Sequence, residues 1–194
     1  MRNIAIFASG SGTNAENIIK YFSTKNTARV SLVLSNKPQA LVLKRAEALE
    51  VPAVFFDRND FYQSGTVSAY LESYKIDFIV LAGFLWLVPR DILQKYRGRI
   101  VNIHPALLPG YGGKGMYGDA VHRAVISDRQ PESGITIHYV NENYDEGDII
   151  FQARCVVDPG ETPASLASKV HALEYRHFPP VIEDLVGKLQ DLSL

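Results

Sequence analysis

The chain has little cysteine, no long apolar run and almost no net charge. Cys155 is the only cysteine in 194 residues, which excludes an intrachain disulfide framework and a cysteine-rich metal site. It lies in Ile149-Ile-Phe-Gln-Ala-Arg-Cys-Val-Val157, which reads as a strand, so a buried, inert thiol is expected. Lys and Arg number 20 against 21 Asp and Glu, a formal charge of -1. That balance leaves no large basic surface, and no nucleic-acid partner is expected. No apolar run approaches the ~20 residues needed to span a bilayer. Ile4 to Ala8 is too short for a signal-peptide core. No membrane partner and a cytoplasmic setting are therefore expected.

What is present is an ordinary globular composition, 46% apolar and 21% charged. The length suits one substantial core, and 1–194 is expected to be a single catalytic domain. Strand and helix alternate. Strands are expected at Asn3–Ala8, Val30–Leu34, Ala53–Phe56, Phe78–Ala82 and Arg99–His104. Helices are expected at Asn14–Phe22, Ala40–Leu49, Asp60–Tyr74 and Pro89–Tyr96. Short apolar strands between amphipathic helices argue for βαβ units. After a Gly- and Pro-rich stretch from Leu107 to Met116, a helix at Asp119–Ser127 and two strands, Gly134–Val140 and Asp148–Val157, read as a hairpin-like pair at the sheet edge. The fold class is thus α/β, an open, doubly wound, mostly parallel sheet with antiparallel edge strands. Thr162-Pro163 reads as a cap followed by a first-turn proline, and Pro179-Pro180 is expected to kink or break the last helix.

In such a sheet, ligands bind beyond the carboxyl ends of the strands. Three unusual segments fall there. The first is Ser9-Gly-Ser-Gly-Thr-Asn14, whose glycines permit a tight turn and whose helix start offers free amides to a phosphate. It matches the dinucleotide fingerprint, but Leu34-Ser35-Asn36-Lys37 lacks the acidic residue that would hold a ribose. A single phosphate, or an ordinary turn, fits better. The second is Gly83 to Val88. The third is Asn102-Ile-His-Pro105, where an apolar strand carries two polar side chains two residues apart and stops at a proline. Residues i and i+2 of a strand share a face. Pro105 keeps His104 extended. An amide donor and an imidazole on one face suit oxyanion stabilisation and proton transfer.

A polar turn, Asn141-Glu-Asn-Tyr-Asp-Glu-Gly-Asp148, supplies acids. They are either a solvated loop or partners of the site. A carboxylate near His104 would favour the imidazolium and raise the histidine pKa. His122 and His138 read as structural. His171, Glu174 and His177 share helical spacing but form no strong ligand motif.

Taken together, Ser9-Gly-Ser-Gly-Thr-Asn14, Leu81-Ala-Gly-Phe84, Asn102-Ile-His-Pro-Ala-Leu-Leu-Pro109, the Asp145 loop and the final helix resemble the small, folate-dependent phosphoribosylglycinamide formyltransferases over nearly the whole chain. The resemblance implies the formyltransferase fold and a role in purine biosynthesis. The reaction it implies moves a formyl group from 10-formyltetrahydrofolate to the amine of glycinamide ribonucleotide, these being the small-molecule partners, with no metal. It places Asn102, His104 and Asp145 as the catalytic trio, and Gly12, Thr13 and Asn14 around the substrate phosphate. Glu174 falls against the glycinamide part. Leu85, Trp86, Leu87 and Val88, with Asn102, fall against the folate, and the turn from Asn141 to Asp145 lines the other side. A monomer or weak homodimer is implied.

Four features depart from the family pattern. Trp86 stands where an arginine is common, and His171 where a glutamine is common. Arg58 stands near the position of a usual arginine, and Gly110 to Tyr117, carrying Lys114, is long. Related formyl enzymes acting on tRNA or hydrolysing formyl-folate carry a further domain that this 194-residue sequence is expected to lack. A nucleotide-dependent dehydrogenase is disfavoured by the missing acid near Asn36.

Overall fold

The computed structural model describes residues 1–189; the expected single domain over 1–194 reaches beyond them. Seven strands, β1 (Arg2–Phe7), β2 (Ala28–Ser35), β3 (Ala53–Phe55), β4 (Phe78–Leu81), β5 (Ile100–His104), β6 (Glu132–Tyr139) and β7 (Ile149–Val156), form one sheet in the order β3-β2-β1-β4-β5-β6-β7. β1 to β5 are parallel, and β6 and β7 join antiparallel at one edge. The expected α/β architecture is therefore present.

Alternation along each strand feeds two cores. In β1, Ile4 and Ile6 enter one apolar cluster, while Ala5 and Phe7 enter the other. Strands buried on both faces read as continuous apolar runs because helices cover both sides. One side carries α1 (Thr13–Phe22), α2 (Leu41–Ala48), α6 (Asp119–Ser127) and α7 (Pro163–Gly187). The other carries α3 (Arg58–Tyr62), α4 (Thr66–Ser73) and α5 (Arg90–Lys95). Each fully buried side chain such as Ile4, Leu34 or Phe178 contributes about 1.5–3 kcal/mol of transfer free energy.

The strand order reverses between β1 and β4, so the loops after them leave the same edge at a topological switch point. They are also tied directly. Ser9 N–H donates to the Gly83 carbonyl at 2.9 Å, and Leu85 N–H to Ser9 Oγ at 3.1 Å.

Two expectations fail. The helix expected over Asp60–Tyr74 is two helices: α3 ends at Tyr62 with Gln63 as its C-cap, and Gly65, at a left-handed φ of 73°, is the N-cap from which α4 starts. Pro179-Pro180 does not break α7, which runs continuously through both. A proline lacks the N–H that would bond the carbonyl four residues back. Here the carbonyl of Tyr175, which Pro179 leaves free, accepts from Asn17 Nδ2 of α1 at 2.9 Å. The packing of α1 on α7 thus supplies the missing donor. The Thr162 cap forms as expected, with Ser165 N–H donating to Thr162 Oγ1 at 3.1 Å.

Asn17→Ala is expected to cost about 1 kcal/mol in urea unfolding. In a Pro179→Ala background the main-chain N–H at position 179 is restored, and the same change should cost less. Equal cost in both backgrounds would separate Asn17 from the proline.

Candidate active site

β5 is turned by its own apolar residues. Val101 and Ile103 enter the first core cluster, which directs Asn102 and His104 to the opposite face. β6 does the same, since Ile135 and Ile137 enter that cluster and leave Thr136 and His138 on the face of the pair. The antiparallel register sets Asn102 opposite His138 and His104 opposite Thr136. The shared-face expectation for Asn102 and His104 therefore describes the structure. His138, read as structural from the sequence, is a member of the same cluster.

Asp145 lies on the loop between β6 and β7 and reaches into this cluster. Its Oδ1 is 3.4 Å from Asn102 Nδ2 and 3.5 Å from His138 Nε2. Its Oδ2 is 3.5 Å from His104 Nδ1 and accepts from Gly113 N–H at 3.0 Å. The tautomers follow from main-chain carbonyls, which can only accept. His104 Nε2 lies 2.7 Å from the Tyr111 carbonyl, so Nε2 carries the proton and Nδ1 faces Asp145. His138 Nδ1 lies 2.8 Å from the Tyr139 carbonyl, so Nε2 accepts from Asn102 Nδ2 at 3.0 Å. That bond fixes which end of the Asn102 amide is nitrogen.

The electrostatics correct one expectation. Burial lowers the pKa of His104 below its usual value of 6.5, and this outweighs the upward pull of Asp145. The residue is only 3% exposed, and desolvation disfavours its charged form. Burial also pushes the Asp145 carboxyl up, but the polar groups around it, among them the Gly113 N–H, more than offset this, and it ends below the ordinary aspartate value. The site therefore pairs a neutral imidazole with an ionised carboxylate. A cavity of about 430 Å³ opens beside Asp145, lined also by Leu108, Gly113 and Tyr144.

The glycine loop starts α1. Gly12 has a left-handed φ of 74°, and a Cβ there would lie 2.4 Å from Val42, so only glycine fits. The N–H groups of the first turn have no intrahelical partner. Arg45 braces the loop by donating to the Ser11 carbonyl at 2.9 Å and pairing with Glu16. The Asn14 side chain is turned away, with Nδ2 donating to Glu174 Oε2 at 2.8 Å. His171 Nδ1 donates to the same oxygen at 2.8 Å, and this bond raises the histidine pKa. His177 instead packs on the Phe151 ring. Asn14 Oδ1 and His122 Nδ1 are buried with no hydrogen-bond partner among the described residues.

Leu85 to Val88, expected from the resemblance to lie against the folate, follow β4 and are held by Tyr62 and an aromatic cluster. Tyr62 donates its hydroxyl to the Leu87 carbonyl at 2.8 Å. Trp86 packs among Phe56, Phe61, Tyr62 and Phe84, with the Arg58 guanidinium 5.6 Å over its ring. The segment is thus held by aromatic edges rather than by charge pairs.

An amide donor, a buried neutral imidazole and a carboxylate around one point, next to an anion-ready helix start, define a group-transfer site. Comparison with known proteins gives the class. Residues 2–182 match the family described as formyl transferase, and the chain belongs to that family. It is 35% identical to the phosphoribosylglycinamide formyltransferase of Bacillus subtilis, over 96% of each chain. The crystal structure of phosphoribosylglycinamide formyltransferase from Bacillus halodurans superimposes with a TM-score of 0.87 at 37% identity, covering 98% of both chains. That from Anaplasma phagocytophilum gives 0.88 at 29% identity, covering 96% of this chain and 87% of that one.

Because Asp145 pulls the His104 pKa upward, Asp145→Asn should lower it further. NMR titration of the His104 ring protons reads this directly. An unchanged titration would remove Asp145 from the pair.

Proposed function

We propose that Asn102, His104 and Asp145 carry out direct transfer of the formyl group of 10-formyltetrahydrofolate to the amine of 5'-phosphoribosylglycinamide, a step of purine biosynthesis. The observation that carries this reading is the convergence of Asn102 Nδ2 and His104 Nδ1 on opposite oxygens of one carboxylate. The substrate amine attacks the formyl carbon, and the carbonyl π pair moves to oxygen. That oxygen needs a preorganised donor. Asn102 Nδ2 has two hydrogens. One is held by His138 at 3.0 Å, and the other makes only a 3.4 Å contact to Asp145 and is free to turn to the oxyanion.

The attacking nitrogen must lose a proton. Neutral His104 accepts it at Nδ1, where the adjacent Asp145 carboxylate stabilises the imidazolium. Collapse of the intermediate reforms the carbonyl and expels the folate nitrogen. That nitrogen takes the proton back from His104, so the enzyme ends as it began. No covalent enzyme intermediate is required.

Binding falls on the flanking elements. The first-turn amides around Gly12, Thr13 and Asn14 suit the phosphate of the substrate. Asn14 and His171 both use Glu174 Oε2. Oε1 has no hydrogen bond among the described residues and is left for the ribosyl-glycinamide part. Leu85, Trp86, Leu87 and Val88 offer an apolar wall and main-chain groups to the folate ring.

The same reading makes the protein a cytoplasmic enzyme of small molecules, acting as a monomer or weak homodimer, with 1–194 as one catalytic domain. No helix among the described residues is long and apolar enough to cross a membrane.

Formyl transfer is read by mixing purified protein with glycinamide ribonucleotide and 10-formyltetrahydrofolate and following folate deformylation. Parallel reactions without the amine test for hydrolysis. Transfer that needs both substrates is expected, and its absence would overturn the assignment. Asn102→Ala should cost about 2.7–4 kcal/mol of transition-state stabilisation, roughly 10²–10³ in kcat. Near-normal turnover would remove the oxyanion role.

A further inference from the structure

The segment after the catalytic strand grips both ionisable members of the site through main-chain atoms. The Tyr111 carbonyl accepts from His104 Nε2 at 2.7 Å, and two residues on, Gly113 N–H donates to Asp145 Oδ2 at 3.0 Å. Tyr111 does this from a left-handed backbone, φ 57°, which a residue with a Cβ adopts only when its surroundings impose it. The imposing contact is at the other end of the residue. The Tyr111 hydroxyl donates to Asp128 Oδ2 at 2.9 Å, and Asp128 is the C-cap of α6. The ring packs against the first core cluster. The residue is therefore held at its phenol and its carbonyl, with the strained dihedral between.

We propose that Tyr111 and Asp128 are positioning residues of the transfer reaction, forming a tether that keeps the Tyr111 carbonyl on His104 Nε2 and so holds the catalytic imidazole in the one tautomer whose Nδ1 is free to take the substrate's proton. The proposal rests on His104 being the proton carrier. The chemistry requires such a device. Neutral imidazole divides between two tautomers, and the partner of one nitrogen selects the state of the other. A proton resident on Nδ1 of neutral His104 would make a favourable bond to Asp145 at 3.5 Å and would leave the site without a base. The Tyr111 carbonyl opposes that state, because its lone pair would then face the lone pair of Nε2. Asp145 alone drives the ring toward the unproductive tautomer, and the tether drives it back. Tyr111 touches neither substrate nor reacting atoms in this scheme and acts only through His104.

The test uses the full, ligand-free chain labelled with 15N and two-dimensional long-range 15N–1H spectra, recorded above the His104 pKa, where ring-nitrogen shifts separate the tautomers. Wild type is expected to show His104 protonated at Nε2. Tyr111→Phe and Asp128→Ala should each move His104 toward the Nδ1-protonated form and lower kcat roughly fivefold, as loss of one hydrogen bond allows, with KM for both substrates little changed. Combining them should cost no more than either alone. Asp128→Asn, which keeps an acceptor oxygen, should restore both the spectrum and kcat. Wild-type His104 protonated at Nδ1 would overturn the proposal. So would tautomers unchanged in both variants while only the melting temperature falls. If the tautomer moves as stated but no variant, wild type included, transfers formyl to glycinamide ribonucleotide, the tether stands and the assigned reaction fails.

Discussion

The Asp145 carboxylate, largely enclosed at the meeting point of three segments with its side chain 12% exposed, is the interaction on which the active edge depends. Gly113 from the loop after β5, Asn102 and His104 from β5, and His138 from β6 all converge on its two oxygens. A carboxylate this enclosed is stable as an anion only if its surroundings supply compensating donors, here Gly113 N–H at 3.0 Å and Asn102 Nδ2 at 3.4 Å. The compensation comes from residues far apart in sequence, so the carboxylate also fixes how those segments sit. The strands could pair without it. The loops that close the site would then have no common anchor.

A second polar contact works at the other end of the site. Glu174 on α7 receives Asn14 from α1 and His171 from its own helix. Glu174 is buried at 4% exposure, and α1 packs directly on α7. The helix start that faces an anion is thus locked to the helix that supplies a carboxylate. In the proposed reading, the spacing between phosphate and ribosyl-glycinamide contacts would then be set by helix packing rather than by a flexible loop. The Asn17 bond to the Tyr175 carbonyl belongs to the same seam. Pro179 lies in α7 without leaving the Tyr175 carbonyl unpaired because α1 is there to supply the donor.

Much of this is legible in the sequence where the information is local. Period-2 alternation in β5 gives the shared face of Asn102 and His104, and Gly12 before Thr13-Asn14 marks the turn into α1. Non-local features are not legible in that way. His138 sits opposite Asn102 only because β6 pairs antiparallel with β5 in one register, and a one-residue slip would turn it to the other core. The signal was present in Gly134-Ile-Thr-Ile-His138, where polar residues alternate with isoleucines. Nothing local says which strand they face. The continuity of α7 through Pro179-Pro180 fails as a local prediction for the same reason, since the compensating donor comes from another helix.

The charge state of His104 shows why the balance of effects matters more than the list of neighbours. A carboxylate 3.5 Å away suggests an imidazolium. The ring is nevertheless buried, only 3% exposed, and its desolvation outweighs the attraction. For a proton carrier this ordering is the useful one. An imidazolium at rest could not accept the proton of an attacking amine, while a neutral ring far from any carboxylate would hold that proton poorly. Burial empties the base before reaction, and Asp145 stabilises it once charged. Environments that push two adjacent titratable groups apart divide their roles. In the proposed reaction, Asp145 stays ionised and His104 moves the proton. What decides between these outcomes is therefore not an added charge but the burial of the ring itself.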